Sequence, residues 1–292
     1  MLFRSDAARL SGAQLRVYRH NDLNHLESIL QWAAQTGAPA RANNRPRVLV
    51  VTESVFSMDG DIAPLREIVG LKHRYGAWLM VDEAHATGLY GEHRRGLVDE
   101  FSLSPEVEIQ MGTLGKALGS CGGYICGARA LIDLLINRAR SFIFSTAPLP
   151  AHAAAARAAI RVVRSRLGER LCRRLWQRVH EVRQGLVNTR FECPPGHSPI
   201  LPLIVGAEPA ALRAALALRR QGIHLPAIRF PSVARNRARL RLTLSAAHSS
   251  GDIRQLLTVL AGLAAFDDLR QTRGARPSAH DPQPTTHRAS TG

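Results

Sequence analysis

The 292-residue chain has 39 lysine and arginine residues against 23 aspartate and glutamate residues, a formal net charge of +16. Its composition, 45% apolar and 21% charged, is typical of a folded protein with a large core. No apolar run approaches the roughly 18–20 residues that span a bilayer, and the N-terminal sequence lacks a signal-peptide core. We therefore expect a cytosolic protein with no membrane partner.

The positive charge is almost entirely arginine, because Lys72 and Lys116 are the only lysines. Aromatic residues make up only 5% of the chain, whereas nucleic-acid-binding surfaces usually combine basic with aromatic side chains. No nucleic-acid partner is therefore expected. The four cysteines form no C-x-x-C pair, so neither a zinc site nor any other metal site is predicted.

Hydrophobic periodicity predicts an alternation of helices and strands in the first half of the chain. Helices are predicted over residues 22–36 and 63–75, and strands over residues 47–52, 78–82, 107–111 and 123–126. A long helix rich in alanine and arginine follows from residue 148 to about residue 186, with an interruption near Gly168. Strands are then predicted near residues 200–205 and 240–244, and helices near residues 208–220 and 250–266.

This order of elements predicts an α/β fold with two domains. A large domain over residues 1–165 would contain a mostly parallel sheet flanked by helices, and residues 166–270 would form a small C-terminal α+β domain. Residues 271–292 are rich in Pro, Ser, Thr, His and Arg with almost no apolar side chains, so we predict a disordered tail.

A lysine stands in a glycine-flanked turn between two predicted strands, in the stretch TLGKALG (113–119). A lysine amine forms a Schiff base when it is held partly desolvated beside a carbonyl, and glycines allow the backbone to approach a planar ligand closely. The turn thus indicates either a Schiff-base lysine at Lys116 or an ordinary exposed loop lysine.

An acidic residue, Asp82, ends the strand WLMVD (78–82), and His85 follows three residues later. Parallel sheets bind ligands at the carboxyl ends of their strands, and a carboxylate there can hold a pyridine nitrogen protonated. The alternatives are a helix N-cap for Asp82 and a structural histidine for His85. Ser57 follows the strand before, in a segment that is either a ligand-binding loop or a plain connection.

Together these segments resemble the α-oxoamine synthase family of fold-type I pyridoxal phosphate (PLP) enzymes. The matching stretches, in the family's order, are SVFSMDGDIAPL (54–65), MVDEAHATGLYGEHRRG (80–96), GTLGKALGSCGGYICG (112–127), FIFSTAPLP (142–150) and RLRLTLSAAH (239–248). The resemblance covers most of residues 9–266. It implies a fold-type I PLP-transferase large domain and PLP as the cofactor.

The resemblance also implies roles for the residues around the cofactor ring. Lys116 would form the Schiff base with PLP and later act as the proton-transfer base. Asp82 would pair with the pyridine nitrogen, His85 would hydrogen-bond the phenolic oxygen, and Ser57 would lie at the same edge. Thr113 would bind the phosphate.

Four further residues match family positions at the substrate and at a subunit interface. Ser145 and Thr146 resemble a pair that reaches the phosphate of a neighbouring subunit's cofactor, which implies a homodimer with the active site at its interface. Arg241 resembles the arginine that holds the amino-acid carboxylate. Ser232 occupies the place of a substrate-binding threonine and keeps its hydroxyl.

Within the family, the stretch AIRFPSV (227–233) followed by RLRLTLSAAH is most similar to the members of biotin biosynthesis. Those acyltransferases condense L-alanine with a pimeloyl thioester, of coenzyme A or of acyl carrier protein. The products are 8-amino-7-oxononanoate, CO2 and the free thiol carrier. The alternatives are another family member such as a glycine C-acetyltransferase, and a non-catalytic remnant or partner subunit.

The chain departs from the family pattern at its start, where a family segment of about a hundred or more residues would precede Arg9-Leu10-Ser11. That segment holds a histidine that stacks on the ring, a glycine-containing phosphate loop and a substrate arginine. We expect its loss to weaken cofactor binding by several kcal/mol, at about 1–3 kcal/mol for each lost partner, to lower activity and to expose apolar sheet surface. This difference from the family has three explanations: a misplaced start codon, a gene fragment, or a shortened protein with another role.

Overall fold

The computed structural model describes residues 2–36, 47–187, 189 and 191–263, which form two sheets with helices packed on each. The strands are β1 (Leu49–Glu53), β2 (Trp78–Asp82), β3 (Ile109–Thr113), β4 (Gly123–Gly127), β5 (Ile200–Gly206), β6 (Ala227–Ile228) and β7 (Ala238–Thr243). The helices are α1 (Leu2–Leu10), α2 (Leu23–Thr36), α3 (Leu65–Tyr75), α4 (Leu97–Glu100), α5 (Arg129–Arg138), α6 (Arg140–Ile143), α7 (Pro150–Val163), α8 (Arg166–Leu186), α9 (Glu208–Arg220) and α10 (Ser250–Gly262). The predicted tail lies outside the described residues.

The first sheet has the strand order β1-β2-β3-β4, with the first three strands parallel and β4 antiparallel to β3. The antiparallel return follows from the short connection, because residues 114–122 are fewer than the dozen or so that a parallel crossover needs. In the register Glu53 lies beside Asp82, and Asp82 beside Met111. The carboxyl ends of the three parallel strands therefore meet at one edge.

Helices α2 and α3 cover one face of this sheet. Leu26 and Leu30 of α2 pack with Ile68 of α3 against Leu79 and Val81 of β2, and all five side chains are buried. This burial is the main stabilising contribution in the N-terminal half of the described chain.

The opposite face of the same sheet is apolar and open. Leu49, Val51 and Trp78 alternate with the buried residues of β1 and β2, and they are 44%, 38% and 46% exposed. The expectation of exposed apolar sheet surface is thus confirmed, and only the carboxyl ends of these strands are covered on this side.

The second sheet has the order β5-β7-β6 and is antiparallel throughout. Leu201 and Leu203 of β5 and Leu240 and Leu242 of β7 bury one face of it under α8, α9 and α10. Because side chains alternate along a strand, the other face of β7 carries Arg239, Arg241 and Thr243, and this face meets the connection between β1 and α3.

Several predicted boundaries differ from the structure by a few residues, and two of these differences are informative. The break in the long helix falls at Ser165, whose hydroxyl caps α8 by accepting hydrogen bonds from the amides of Leu167 and Gly168. Gly168 itself lies inside α8, where a β-carbon would come within 2.3 Å of the Val162 carbonyl of α7. Strand β3 begins two residues later than predicted, since Val107 is buried in the preceding turn.

An aromatic cluster packs the segment after β2 against α8 and the segment before β5. The ring of Trp176 on α8 stacks on His197, with ring centroids 4.2 Å apart, and the buried Tyr90 hydroxyl donates to the His197 carbonyl at 2.5 Å.

The start of α8 coincides with the predicted boundary at residue 165, and the division into domains remains a prediction. Among the helices of the described residues, none has the length and apolar content to cross a bilayer.

Candidate active site

Two buried carboxylates lie at the edge where the parallel strands end. Asp82 is 4% exposed, and one of its oxygens accepts a hydrogen bond of 2.8 Å from the amide of Ala84. Glu53 is 3% exposed, and it accepts a hydrogen bond of 3.1 Å from the amide of Ser57. Asp82 is the last residue of β2, a turn follows it, and it caps none of the helices in the described residues, so the N-cap alternative is wrong. Sequence reasoning missed Glu53, although it too ends a buried strand.

Lys116 and His85 are in contact. The Lys116 Nζ atom lies 2.9 Å from the His85 Nε2 atom, although 30 residues separate them along the chain. Gly88 permits this approach: it has a φ of +90°, and a β-carbon there would meet the Ala117 β-carbon at 3.0 Å. The structure thus brings the predicted amine and imidazole together at the edge that holds Asp82.

The loop between β3 and β4, residues 114–122, is held by its own hydrogen bonds. The Thr113 hydroxyl donates to the Gly122 carbonyl at 3.2 Å and accepts from the Gly115 amide at 3.1 Å. Lys116 itself is exposed, so the described residues desolvate its amine less than Schiff-base chemistry favours. In this structure the Thr113 hydroxyl stabilises the loop, and its phosphate-binding role remains a prediction.

Tyr124 of β4, which the sequence analysis did not identify, lies beside this loop, against Thr87 and Gly112. The Tyr124 hydroxyl lies 2.8 Å from the Thr87 hydroxyl, and a β-carbon on Gly112 would come within 2.3 Å of it. Burial raises the pKa of Tyr124, so it is neutral at pH 7. Its place in the stretch GGYICG carries no signal that sequence analysis could have used.

Ser57 and Arg241 meet through the backbone. The Arg241 Nε atom donates to the Ser57 carbonyl at 2.7 Å, and one terminal nitrogen donates to the Thr243 hydroxyl at 3.0 Å. Both acceptors are neutral, and no carboxylate of the described residues forms an ion pair with Arg241. Burial without such a partner lowers the pKa of Arg241, and an anionic ligand would supply the missing negative charge.

Three predicted site residues are not brought to this edge by any contact within the described part of the chain. Ser145 and Thr146 lie in the exposed segment after α6, where the Ser145 hydroxyl donates to the Thr146 carbonyl at 3.2 Å. Ser232 is exposed, and its amide donates to the Arg229 carbonyl. Their roles remain predictions.

Glu83, beside Asp82, is a structural residue that sequence reasoning did not separate from its neighbour. Its carboxylate accepts hydrogen bonds from the amides of Leu97 and Val98, at 3.1 and 2.7 Å, and from the Ser54 hydroxyl at 2.9 Å. It therefore holds the N-terminus of α4. Burial raises the pKa of Glu83 against the effect of these hydrogen bonds.

The fold and this edge define a member of a known enzyme family. Residues 4–260 match the family model described as aminotransferase class I and II, and the chain belongs to this family. The fold-class prediction is thereby confirmed.

Two curated relatives from this family have names that specify a reaction. The chain is 43% identical over 256 residues to an 8-amino-7-oxononanoate synthase of Geobacter sulfurreducens, covering 88% of this chain and 63% of the relative. It is 45% identical to the 8-amino-7-oxononanoate synthase of Methylococcus capsulatus, covering 88% of this chain and 63% of that protein. The chain thus spans about 63% of the length of these curated relatives.

Solved structures agree on the fold. A serine palmitoyltransferase of Sphingomonas wittichii superposes with a TM-score of 0.75 at 29% identity, over 89% of this chain and 61% of that one. An 8-amino-7-oxononanoate synthase of Francisella tularensis superposes with a TM-score of 0.73 at 26% identity, over 92% and 72%. A serine palmitoyltransferase variant from S. paucimobilis with bound PLP-myriocin aldimine has a TM-score of 0.77 at 27% identity, over 87% and 61%.

Proposed function

We propose that this chain carries the cofactor lysine of a PLP-dependent 8-amino-7-oxononanoate synthase. The enzyme would condense L-alanine with a pimeloyl thioester, and would release 8-amino-7-oxononanoate, CO2 and the free thiol of coenzyme A or of acyl carrier protein. The observation that carries the proposal is the 2.9 Å contact between Lys116 and His85 beside the buried Asp82. The 43–45% identity to named synthases supports the choice of reaction.

The donor set fits PLP chemically. PLP carries an aldehyde and a phenolic oxygen on adjacent ring carbons, so neighbouring amine and imidazole nitrogens suit these two groups. The ring nitrogen, which is protonated in the active form, requires an anion, and Asp82 is a buried carboxylate at the same strand edge. We assign Lys116 to the aldehyde, His85 to the phenolic oxygen and Asp82 to the ring nitrogen. Ser57, the Thr113 hydroxyl and the backbone amides of residues 114–122 are then left to bind the other polar groups of the cofactor.

Bound PLP would supply a protonated ring that takes up electrons from the amino-acid α-carbon. Each residue then has one task. Asp82 keeps the proton on the ring nitrogen, because a carboxylate close to a cation favours the charged form of both groups, and low dielectric strengthens that attraction. His85 holds a hydrogen bond at the phenolic oxygen. Lys116 Nζ removes the proton from the α-carbon and later returns one, as the positioned base of general acid–base catalysis.

Arg241 would bind the carboxylate of L-alanine. Its guanidinium is half-buried and meets only neutral oxygens among the described residues, so a carboxylate would gain charge-assisted hydrogen bonds there. Ser232 would contact the substrate, and Thr113 the cofactor phosphate.

We also propose that the enzyme works as a cytosolic homodimer, in which Ser145 and Thr146 contact the partner's cofactor. The segment that contains them is apolar and open: Phe142, Phe144 and Leu149 are 65%, 72% and 63% exposed. A contiguous exposed apolar surface of this kind typically marks an interface.

The test uses the purified full chain with PLP and follows the visible absorbance of the lysine adduct. Borohydride should fix the cofactor on Lys116, as peptide mass spectrometry shows, and leave Lys72 unmodified. Lys72 is an internal control because it is 4% exposed and paired with Glu108. Lys116→Ala should remove the visible band and lower thiol release from pimeloyl-coenzyme A by at least about 10³-fold, within the range for losing a positioned acid–base group.

The choice of amino acid separates the candidate reactions. Thiol release that depends on L-alanine and exceeds the rates with glycine and L-serine supports the proposal. A higher rate with glycine would indicate a glycine C-acetyltransferase type of reaction. A folded chain that gives no visible band with PLP, or a band that borohydride fixes elsewhere, would contradict the assignment of Lys116.

A further inference from the structure

Two arginines of β7 face the same segment but have different partners. Arg239 donates to the Asp59 carboxylate at 2.5 Å and to the Met58 carbonyl at 3.2 Å. Arg241, two residues on and on the same strand face, donates to the Ser57 carbonyl at 2.7 Å. One cation is therefore neutralised inside the chain, whereas the other reaches the edge of the candidate site with neutral partners only.

The Arg239–Asp59 pair joins distant parts of the chain through a buried arginine and a partly exposed carboxylate. The Arg239 side chain is 5% exposed and that of Asp59 is 42% exposed, and the two residues are 180 positions apart. A buried cation that loses its carboxylate is costly, so the pair holds the β1–α3 connection firmly against β7.

The connection has little freedom to move elsewhere. Gly60 has a φ of +67°, and a β-carbon there would lie 2.1 Å from the Ile200 carbonyl at the start of β5. At the far end, Asp61 accepts hydrogen bonds from His20 at 2.7 Å and from Asn21 at 2.8 Å. His20, Asp59 and Asp61 bring ligand-type atoms within 4.8 Å of one another, and Arg239 supplies a permanent positive charge beside Asp59.

We propose that Arg239 and Asp59 are positioning residues that fix the orientation of Arg241 and so determine the affinity for the amino-acid substrate. The pair anchors Asp59, Asp59 fixes the Ser57 carbonyl two residues before it, and that carbonyl orients the Arg241 guanidinium through its Nε atom. Neutralisation of Arg239 by Asp59 also prevents a second free cation from competing for the carboxylate. The inference rests on the proposed function, because Arg241 must be the carboxylate-binding group.

The chain offers a matched control in a second buried pair. Lys72 and Glu108 are 2.5 Å apart with side-chain exposures of 4% and 36%, close to the 5% and 42% of Arg239 and Asp59. Glu108 contacts Lys72 and the Leu79 amide, at 2.5 and 2.7 Å. Glu108→Ala therefore breaks an ion pair of similar burial that has no contact with Arg241 or Ser57.

The experiment measures the L-alanine dissociation constant of the PLP-loaded chain from the change in its visible spectrum, together with the melting temperature. We expect Asp59→Ala to raise the dissociation constant about 10-fold or more, as expected for loss of one oriented charge-assisted contact. Asp59→Glu should restore most of the affinity. Glu108→Ala should lower the melting temperature without changing the dissociation constant. The KM for the acyl thioester should stay within about twofold in Asp59→Glu and Glu108→Ala.

The outcomes distinguish a failure of the positioning role from a failure of the proposed function. An unchanged dissociation constant in Asp59→Ala, or an equal rise in Glu108→Ala, overturns the positioning role while leaving the proposed function intact. An unsubstituted chain that binds PLP but shows no spectral response to L-alanine overturns the proposed function, and the positioning role with it. If Asp59→Ala does not fold, Asp59→Asn provides the same comparison, because it keeps the size of the side chain and removes its charge. A rise in the dissociation constant is expected, and an unchanged value would contradict the proposal.

Discussion

The two sides of the candidate site differ in how much support they receive from the chain itself. The strand-end side, with the buried Glu53, Asp82 and Arg239 and the half-buried Arg241, is joined across both sheets by hydrogen bonds and an ion pair. The loop side, residues 114–122 and 139–149, is largely exposed and holds itself mainly by local backbone contacts. The difference indicates that the described residues hold the charged groups of the strand-end side in place, whereas they leave Lys116 exposed.

The largest effect on stability is expected from Glu83→Ala on the buried side. The substitution leaves two backbone amides and the Ser54 hydroxyl without their acceptor. At about 1–3 kcal/mol for each buried unsatisfied group, we expect a loss of roughly 3 kcal/mol or more in the free energy of unfolding. Urea denaturation measures it, with the exposed Glu92→Ala as control, and equal effects of the two variants would contradict the structural role of Glu83.

A smaller, pH-dependent effect is expected at the ion pair between His20 and Asp61. The hydrogen bond to Asp61 raises the pKa of His20 against the effect of burial, with the charges of Asp61, Asp59 and Glu53 adding to the rise. A raised pKa in the folded state means that the pair stabilises fully below the unfolded value of about 6.5. That contribution is lost as the pH rises through the higher folded value.

We therefore expect the stability difference between the unsubstituted chain and His20→Gln to shrink as the pH rises above the unfolded value of about 6.5. Because the His20 side chain is 45% exposed, the full difference should stay below about 1 kcal/mol. Urea denaturation at a series of pH values measures it. A difference that grows with pH would show that the charge of His20 is not what stabilises this contact.

The smallest effect on the fold is expected from Phe142→Asp on the exposed side. Phe142 is 65% exposed, so the free energy of unfolding of the chain alone should change by less than about 0.5 kcal/mol. Association should be lost, which sedimentation equilibrium would detect. Val187→Asp, at another apolar position that is 82% exposed, should leave association unchanged, and a monomer in the unsubstituted chain would contradict the proposed interface.

The sequence predicted the regular elements well where periodicity and burial agree. Strand β2 and helix α9 match their predicted ranges, because the alternation and the apolar stripe are clear in both. The direction of β4 did not follow from GYICG, since no residue pattern distinguishes a parallel from an antiparallel edge strand. Only the length of the preceding loop carried that information. The break before α8 did have a signal, the capping hydroxyl of Ser165, which the more conspicuous Gly168 obscured.

Roles in the site were harder to predict than elements, because they depend on contacts between residues far apart in sequence. The resemblance assigned Lys116 and His85 to one cofactor but did not show their contact, which depends on the turn at Gly88. Asp82 and Glu83 are adjacent and both carry a carboxylate. Asp82 lies at the edge of the site, whereas Glu83 accepts hydrogen bonds from the first amides of α4. Arg239 is two residues before the predicted Arg241 in RLR, and only its ion pair with Asp59 supports the positioning role that we propose for it.

The distribution of lysines has a practical consequence. Since the chain has two lysines and Lys72 is buried in an ion pair, an amine-reactive reagent at neutral pH should modify the folded described region at Lys116. Protection of that amine on addition of PLP, followed over time in the purified chain, would serve as an assay for cofactor loading.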